Sequence, residues 1–182
     1  ILRPYQKKGF RWLYALKENH LGGLLADEMG LGKSIQIISL LAAWKDRKRA
    51  LIVCPSSLVY NWANEINKFM PNMHYTMISG FANIRKELIR TSLENDILIT
   101  SYDALKRDID VYRTMEFSCQ VIDEAQYIKN ASTLAAQSVK AINSHFRIAL
   151  TGTPIENRLS ELWSIFDFIL PGFFGPYQKF RT

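Results

Sequence analysis

Residues 23–38 read Gly-Leu-Leu-Ala-Asp-Glu-Met-Gly-Leu-Gly-Lys-Ser-Ile-Gln-Ile-Ile, and this stretch decides the fold. Its apolar start predicts a strand and its isoleucine-rich end predicts a helix, so the glycines lie in a strand-to-helix loop. Gly30 and Gly32 let backbone amides turn toward an anion, and the helix N-terminus adds partial positive charge there. Lys33 is placed to reach the β- and γ-phosphates of a nucleotide, and the Ser34 hydroxyl is placed to ligate magnesium. The stretch therefore predicts a P-loop, the alternative being an exposed helix N-terminus with a solvated lysine.

Two adjacent carboxylates, Asp123 and Glu124, follow a second apolar run further along the chain. Open α/β sheets bind their ligands at the carboxyl ends of the strands. Asp123 is placed to hold magnesium, directly or through water, and Glu124 to orient the water that attacks the γ-phosphate. An isolated Asp-Glu pair is also common at a helix N-terminus. The upstream P-loop favours the catalytic interpretation, although the general P-loop pattern begins with Gly where this chain has Asp27.

Short apolar runs alternate with helical segments along the chain, which indicates one α/β domain, doubly wound in three layers around a mainly parallel sheet. The strands are expected at Leu24–Ala26, Ala50–Cys54, Tyr75–Ser79, Asp96–Thr100, Cys119–Ile122 and Arg147–Leu150. The helices are expected near 4–18, 33–46, 57–69, 83–93, 101–115, 132–142 and 160–169. The order of the strands cannot be read from the sequence.

Composition narrows the class of protein. The chain has 182 residues, 48% of them apolar, and a formal net charge of +6, which favours polyanionic partners only weakly. A basic cluster at 45–49 is expected to be a solvated helix end rather than a nucleic-acid patch. Cys54 and Cys119 lie in apolar runs without metal-ligand spacing, so buried, reduced thiols are expected. No apolar stretch approaches the length of a membrane span, and the start at Ile1 indicates a piece of a longer chain.

A third strand-to-turn segment ends in Thr151-Gly152-Thr153-Pro154. Small hydroxyl side chains at a strand end can sense a neighbouring phosphate or carboxylate. A turn ended by proline is the alternative.

Together, these segments resemble the first RecA-like lobe of the Swi/Snf-type ATPases, the double-stranded DNA translocases of helicase superfamily two. The resemblance extends over nearly the whole chain, and Asp27 is the residue that this family carries at the start of its P-loop. The segments that carry it are Leu2–Gln6 with Gly9 and Trp12, Leu25–Ser34, Leu51–Leu58 with Asn61 and Trp62, Ile99–Tyr102, Asp123–Gln126 with Ile128–Asn130, and Leu150–Asn157 with Glu161–Trp163.

The resemblance implies ATP and Mg²⁺ as cofactors, one lobe over 1–182, an adenine-motif helix in 1–20 and a P-loop core in 21–182. It implies that Gln6 reads the adenine edge. The nucleotide would also be bound by Asp27, Met29, Gly30, Leu31, Gly32, Lys33 and Ser34. Magnesium would be held by Ser34 and Asp123, and the catalytic residues would be Lys33, Asp123, Glu124 and Gln126. Gln126 and Ser34 stand where many members have His and Thr, and both replacements keep a hydrogen-bonding group.

The resemblance also implies contacts with the phosphates of duplex DNA, made through hydroxyls and backbone amides without reading the bases. The residues implicated are Pro55, Ser56, Ser57, Ser101, Tyr102, Thr151, Gly152 and Thr153. Ordinary strand-end turns are the alternative for the first five. The last three would couple the nucleotide site to the DNA groove.

The family completes its site with arginines of a second RecA-like lobe, and no such motif follows within this chain. This piece is therefore expected to bind ATP weakly and to hydrolyse it negligibly by itself.

The alternatives are an RNA helicase lobe, which Gln126 and Thr151–Thr153 argue against, a non-catalytic docking module for nucleic acid or protein, and a small-molecule kinase. Expected partners are duplex DNA, the second lobe and DNA-bound proteins, with no membrane. Gln126 resembles the prokaryotic variant, which favours the cytoplasm or nucleoid over a nucleus.

Overall fold

The computed structural model describes residues 2–27, 30–152 and 159–180. Its strands are β1 Gly23–Leu25, β2 Ala50–Cys54, β3 Tyr75–Met77, β4 Ile97–Ser101, β5 Glu116–Ile122 and β6 Asn143–Leu150. Its helices are α1 Pro4–Glu18, α2 Lys33–Ala43, α3 Val59–Phe69, α4 Ala82–Thr91, α5 Tyr102–Tyr112, α6 Leu134–Lys140, α7 Leu159–Ile169 and α8 Tyr177–Phe180. Two short 3-10 turns lie at Ser56–Leu58 and Ala125–Ile128.

The described strands form one parallel sheet in the order β1-β6-β5-β2-β4-β3. Its register aligns Leu25 with Leu150, and Ile122 with both Ala149 and Val53. The carboxyl ends of β1, β6, β5 and β2 therefore meet at one edge. The strand before the P-loop and the strand before the carboxylates are separated only by β6.

Helices cover both faces of the sheet, which confirms the predicted doubly wound α/β fold. Helices α1, α2 and α3 pack on one face through residues such as Leu13, Ile37 and Trp62. Helices α4 to α7 pack on the other face, where Leu105 and Phe168 are fully buried. Strands covered on both faces read as nearly continuous apolar runs, as in Ala50–Cys54, where every residue is buried.

Helix α1 is held against α2 by an unusually close approach. A Cβ atom added to Gly9 would lie 1.7 Å from Oε1 of Gln36, so a larger residue at this position would have to displace that side chain. Gln36 is itself fully buried on α2. The contact fixes the first turn of α1, and with it Gln6, next to the P-loop.

The predicted elements all exist among the described residues, but several boundaries differ. Helix α2 ends at Ala43 rather than at 46, because Trp44 leaves the helical conformation (φ −85°, ψ 84°). Its ring then packs edge-on against Phe146. Strands β5 and β6 begin earlier than predicted, since polar residues before the apolar runs continue the ladder from Glu116 and Asn143.

The basic cluster at 45–49 lies at the opposite, amino edge of the sheet. Its arginines bind the loop before β4: Nη2 of Arg47 donates to the Asn95 carbonyl at 3.0 Å, and Nη2 of Arg49 to the Ser92 carbonyl at 2.8 Å. These two side chains therefore tie two loops together rather than ending in solvent as predicted. None of the described helices combines the length and apolarity that crossing a membrane requires.

Candidate nucleotide site and nucleic-acid face

The part of the loop that directly precedes α2, from Gly30 to Gly32, has the backbone of an anion-binding turn. Gly30 and Gly32 have φ values of 84° and 74°, in the left-handed region that favours glycine. Helix α2 begins at Lys33, directly after Gly32, so its first free amides point into the loop. A side chain at Gly30 would meet no atom within 4 Å, so glycine is needed there for its backbone conformation alone.

Lys33 and Asp27 meet within this loop. The Lys33 ammonium group donates a hydrogen bond of 2.7 Å to the backbone carbonyl of Asp27. The Asp27 side chain accepts one from Nε2 of Gln36 at 3.4 Å. Asp27 thus holds the ends of the loop together, which gives a structural reason for the departure from the general P-loop pattern. Ser34 lies in the first turn of α2, and Met29 lies outside the described residues.

Gln6 is in place to border a nucleotide bound at the loop. Its Oε1 accepts a hydrogen bond of 2.9 Å from the Arg3 amide, and its Nε2 donates one of 3.2 Å to the Leu31 carbonyl. The side chain is only 8% exposed. Gln6 therefore joins α1 to the P-loop, and reading a base would require it to share or exchange these bonds.

Asp123 is the most constrained of the predicted site residues. Its amide donates to the Val53 carbonyl at 2.8 Å, which continues the β2–β5 ladder. One carboxylate oxygen, Oδ1, accepts from the Glu124 amide at 2.8 Å, and the other, Oδ2, accepts from the indole N–H of Trp62 at 3.0 Å. Burial raises the pKa of the Asp123 carboxyl, and these two hydrogen bonds partly oppose that increase. A cation bound at this carboxylate would relieve the cost of burying its charge.

Glu124 has a strained backbone. Its φ of 51° and ψ of 58° lie in the left-handed region, which is rare for a residue other than glycine. Its Oε2 accepts a hydrogen bond of 2.5 Å from Nε2 of Gln126. Oε1 of Gln126 in turn accepts one of 3.3 Å from the Thr151 hydroxyl. The chain Thr151–Gln126–Glu124 therefore crosses from the end of β6 to the carboxylates after β5.

Magnesium would need more ligands than the described residues supply. Across residues 2–27, 30–152 and 159–180, no three or more His, Cys, Asp or Glu side chains converge in a metal-binding arrangement. Mg²⁺ is usually bound by one or two protein groups together with substrate phosphates and water. Ser34 and Asp123 suit that kind of site, in which the metal arrives with a nucleotide.

The predicted DNA-facing residues fall into two groups. Ser56 and Ser57 are exposed on the 3-10 turn after β2, and Ser101 is half-buried at the end of β4, where its hydroxyl caps α5 by accepting from the Ala104 amide at 3.1 Å. Tyr102, by contrast, is 3% exposed, and its hydroxyl donates to the Asp123 carbonyl at 2.7 Å. The Tyr102 hydroxyl is therefore engaged in the interior, which leaves the backbone amide of Tyr102 for the predicted contact with DNA.

The third segment is likewise turned inward where the structure describes it. Thr151 is 3% exposed, and its amide donates to the Leu25 carbonyl at 3.1 Å. Its hydroxyl contacts Gln126, so its side chain lies at the carboxylates rather than on a surface for DNA. Gly152 is half-buried beside it, Pro55 is half-buried at the end of β2, and Thr153 lies outside the described residues.

A groove of about 220 Å³ opens beside the exposed serines. Its lining includes Ser56, Tyr60, Gly80, Arg85, Ser101 and Arg107. Reasoning from the sequence missed Arg107, Tyr60 and Arg85, which lie on helices with no motif of their own. Trp62 lies in one of the segments that carry the family resemblance, but only the fold shows that its indole reaches Asp123.

The sheet is parallel, a P-loop follows one strand, and a carboxylate pair follows the strand two positions away. This arrangement defines a RecA-like P-loop lobe. Comparison with known proteins narrows this class further. The family model described as SNF2-related domain matches residues 5–182. The chain therefore belongs to the SNF2-related family.

The relatives agree with this assignment. The chain is 45% identical to an uncharacterized ATP-dependent helicase of Mycoplasma genitalium, over 98% of this chain and 18% of that protein. It is 39% identical to the ISWI chromatin-remodeling complex ATPase ISW2 of Saccharomyces cerevisiae, over 98% of this chain and 17% of the relative. Among solved structures, the Sulfolobus solfataricus SWI2/SNF2 ATPase core in complex with dsDNA superimposes with a TM-score of 0.89. That match has 40% identity and covers all of this chain and 38% of the other.

Proposed function

We propose that this lobe binds ATP with Mg²⁺, and that the full-length protein hydrolyses ATP to ADP and phosphate while moving along duplex DNA. The observation that carries the proposal is the convergence of Lys33, Asp123–Glu124 and Thr151 at one edge of the sheet, in a chain of the SNF2-related family. The chain spans less than a fifth of the curated relatives described above, so the activity proposed is that of the longer protein.

The P-loop would bind the triphosphate. Phosphate oxygens would accept hydrogen bonds from the amides of Gly30, of Gly32 and of the first turn of α2. Lys33 would give up its hydrogen bond to the Asp27 carbonyl and contact the β- and γ-phosphates instead. Ser34 and Asp123 would hold the magnesium ion, which neutralises charge on those phosphates. Gln6 would border the adenine, since it already contacts Leu31 of the loop.

Glu124 would hold the attacking water and accept a proton from it. Gln126 donates to its carboxylate and Thr151 donates to Gln126, so the side chain is oriented by two successive hydrogen bonds. The strained backbone at Glu124 is consistent with this role, because strain of this kind clusters at functional sites. Arginines of a second lobe would complete the site, so this lobe alone should bind ATP weakly and turn it over negligibly.

Duplex DNA would bind along the edge formed by Ser56, Ser57 and Ser101. Hydroxyls and amides at strand ends contact phosphates without reading bases, which suits a motor that moves along any sequence. Arg107, exposed in the groove beside them, adds a positive charge for the same backbone. Proteins bound to the DNA would then be displaced or moved, and Gln126 favours action in a prokaryotic cytoplasm or nucleoid.

The proposal is tested on the full-length protein by measuring ATP hydrolysis alone, with duplex DNA and with single-stranded RNA. Duplex DNA is expected to stimulate hydrolysis, and Lys33→Ala or Glu124→Gln to abolish it. Lys45→Ala, which removes an exposed lysine at the opposite edge of the sheet, serves as the matched control and should keep full activity. Glu124→Gln should still bind ATP, because it removes the proton acceptor and leaves the P-loop intact.

Two results would overturn the proposal. Stimulation by single-stranded RNA but not by duplex DNA would indicate an RNA helicase, despite the family assignment. Absence of magnesium-dependent ATP binding at millimolar nucleotide would indicate a non-catalytic docking module.

A further inference from the structure

Asp123 is contacted by the elements that follow the two segments of the proposed DNA face, Ser56–Ser57 and Ser101. The 3-10 turn that carries Ser56 and Ser57 runs directly into α3, and Trp62 of α3 donates its indole N–H to Oδ2 of Asp123 at 3.0 Å. Ser101 runs directly into α5, whose first residue, Tyr102, donates its hydroxyl to the Asp123 carbonyl at 2.7 Å. One contact reaches the carboxylate and the other reaches the backbone of the same residue.

Both donors are held firmly enough to transmit a displacement. Trp62 is 2% exposed and packs in the core between α3 and the sheet. Tyr102 is 3% exposed and stacks on Tyr127, with ring centroids 4.9 Å apart and planes 5° from parallel. Tyr127 belongs to the turn that follows Glu124, so Tyr102 contacts both the carboxylate pair, at Asp123, and the turn after it. Close packing of this kind leaves little room for either ring to move by itself.

Both hydrogen bonds run from the aromatic side chain to Asp123. A backbone carbonyl can only accept, so the Tyr102 hydroxyl is the donor in its bond to the Asp123 carbonyl. The indole N–H of Trp62 is a donor only, and it donates to the Asp123 carboxylate.

We propose that Trp62 and Tyr102 are positioning residues through which DNA bound at Ser56–Ser57 and Ser101 sets the place of the magnesium-binding carboxylate of Asp123. This inference rests on the proposed function and adds a route of coupling. DNA would restrain the two segments, these would fix α3 and the start of α5, and the two donors would fix Asp123 where magnesium binds with the nucleotide. By thermodynamic reciprocity, magnesium-nucleotide would tighten DNA binding by the same factor.

The route differs from the chain Thr151–Gln126–Glu124. That chain ends on the carboxylate of Glu124, whereas Trp62 and Tyr102 end on Asp123. Two separate connections predict two separable defects. Variants of Trp62 and Tyr102 should weaken metal binding, while a Gln126 variant should lower the rate of hydrolysis at saturating magnesium.

The test measures equilibrium binding of a fluorescent non-hydrolysable ATP analogue to the full-length protein across magnesium concentrations, with and without duplex DNA. The variants are Trp62→Phe, which removes the indole N–H and keeps an aromatic ring, and Tyr102→Phe, which removes one oxygen and keeps the stack on Tyr127. Partners outside the first ligands of a metal typically contribute about 10- to 100-fold in affinity. Each variant is expected to raise the magnesium midpoint roughly tenfold and to reduce the effect of DNA on that midpoint toward none.

The controls separate this role from a loss of stability. Trp44→Phe and Tyr112→Phe make the same chemical changes at the ring that directly follows α2 and at a fully buried ring on α5. These controls should leave the magnesium midpoint unchanged, both with and without DNA. Binding of the analogue without magnesium should be equal in all the variants. Subtracting the tryptophan fluorescence of Trp62→Phe from that of the wild type gives the signal of Trp62. That signal should change when magnesium and nucleotide are added.

Magnesium midpoints equal to wild type in both test variants, with and without DNA, would overturn the coupling while leaving the proposed function intact. An equal loss in the two controls would also overturn it, since the effect would then be general destabilisation. Failure of the proposed function itself is recognised separately, because the wild-type protein would then show no magnesium-dependent binding of the analogue.

Discussion

Replacing Arg85 by methionine should destabilise the fold by about 3–5 kcal/mol, because it would leave the Asp108 carboxylate buried without its counter-charge. Nε of Arg85 donates to Oδ2 of Asp108 at 2.6 Å, and Nη2 donates to Oδ1 at 3.0 Å. The side chains are 8% and 1% exposed. Water therefore cannot take the place of the lost partner. A third bond, of 2.7 Å from Nη1 to the Gly80 carbonyl, would be lost as well.

The loss of stability should depend on whether a charge is left buried without its partner. Arg85→Met with Asp108→Leu removes both ions and fills the space with apolar atoms, and such replacements are often neutral or stabilising. The double variant should therefore recover most of the stability that the single Arg85→Met variant loses. The expected signature is strong non-additivity, in which the double variant loses much less stability than the sum of the losses in the two single variants.

Urea denaturation followed by circular dichroism measures these free energies of unfolding. The matched control is Lys86→Met, since Lys86 and Asp110 join the same two helices through a single contact of 3.0 Å at exposed positions. That control should leave the unfolding midpoint unchanged, because exposed ion pairs are screened by water. The reasoning would be refuted if Arg85→Met cost no more than Lys86→Met, or if the double variant were as unstable as the single one.

Three further outcomes follow from particular residues. Glu124→Gly should be about 0.5–1 kcal/mol more stable than Glu124→Ala, because relief of the left-handed backbone outweighs the extra entropy of glycine; thermal unfolding of both checks this, and an equal or reversed order would contradict it. Gly9→Ala should lower the free energy of unfolding by about 1–3 kcal/mol through overpacking, because the new Cβ pushes on Gln36. It should also weaken ATP binding, because α1, which carries Gln6, would tilt. A nucleotide titration that gives the wild-type affinity would disprove this. Cys54 and Cys119 should resist a thiol reagent at pH 8 until the protein is unfolded, since burial raises the pKa of each thiol to about 12, and rapid labelling of the native protein would count against this.

The sequence predicted the elements well where a pattern had a single physical meaning. Apolar runs such as Ala50–Cys54 could only be strands covered on both faces, and the structure places each of their residues in the core. Boundaries were less predictable. Strand β6 starts at Asn143 because ladder hydrogen bonds form regardless of side-chain polarity, and hydrophobic patterning does not register them.

The site residues likewise fall into those that could be predicted from the sequence and those that could not. Lys33, Asp123 and Glu124 carry motifs whose chemistry is local, so their roles could be predicted from spacing and residue type. Tyr102 could not be assigned in this way. A tyrosine after a strand suits a surface contact as well as an internal one. Only the folded sheet, in which β2 alone separates β4 from β5, shows that its hydroxyl reaches Asp123.

By itself, the sequence determined that a phosphate-binding loop and a carboxylate pair occur in this order at the ends of two strands, because glycine, lysine and acidic residues have intrinsic conformational and chemical preferences. The tertiary structure decided that a single strand, β6, lies between them. It also decided that Trp62 and Tyr102 converge on Asp123. Those contacts join residues far apart in the chain, and parallel strand order depends on packing over the whole sheet rather than on any local pattern.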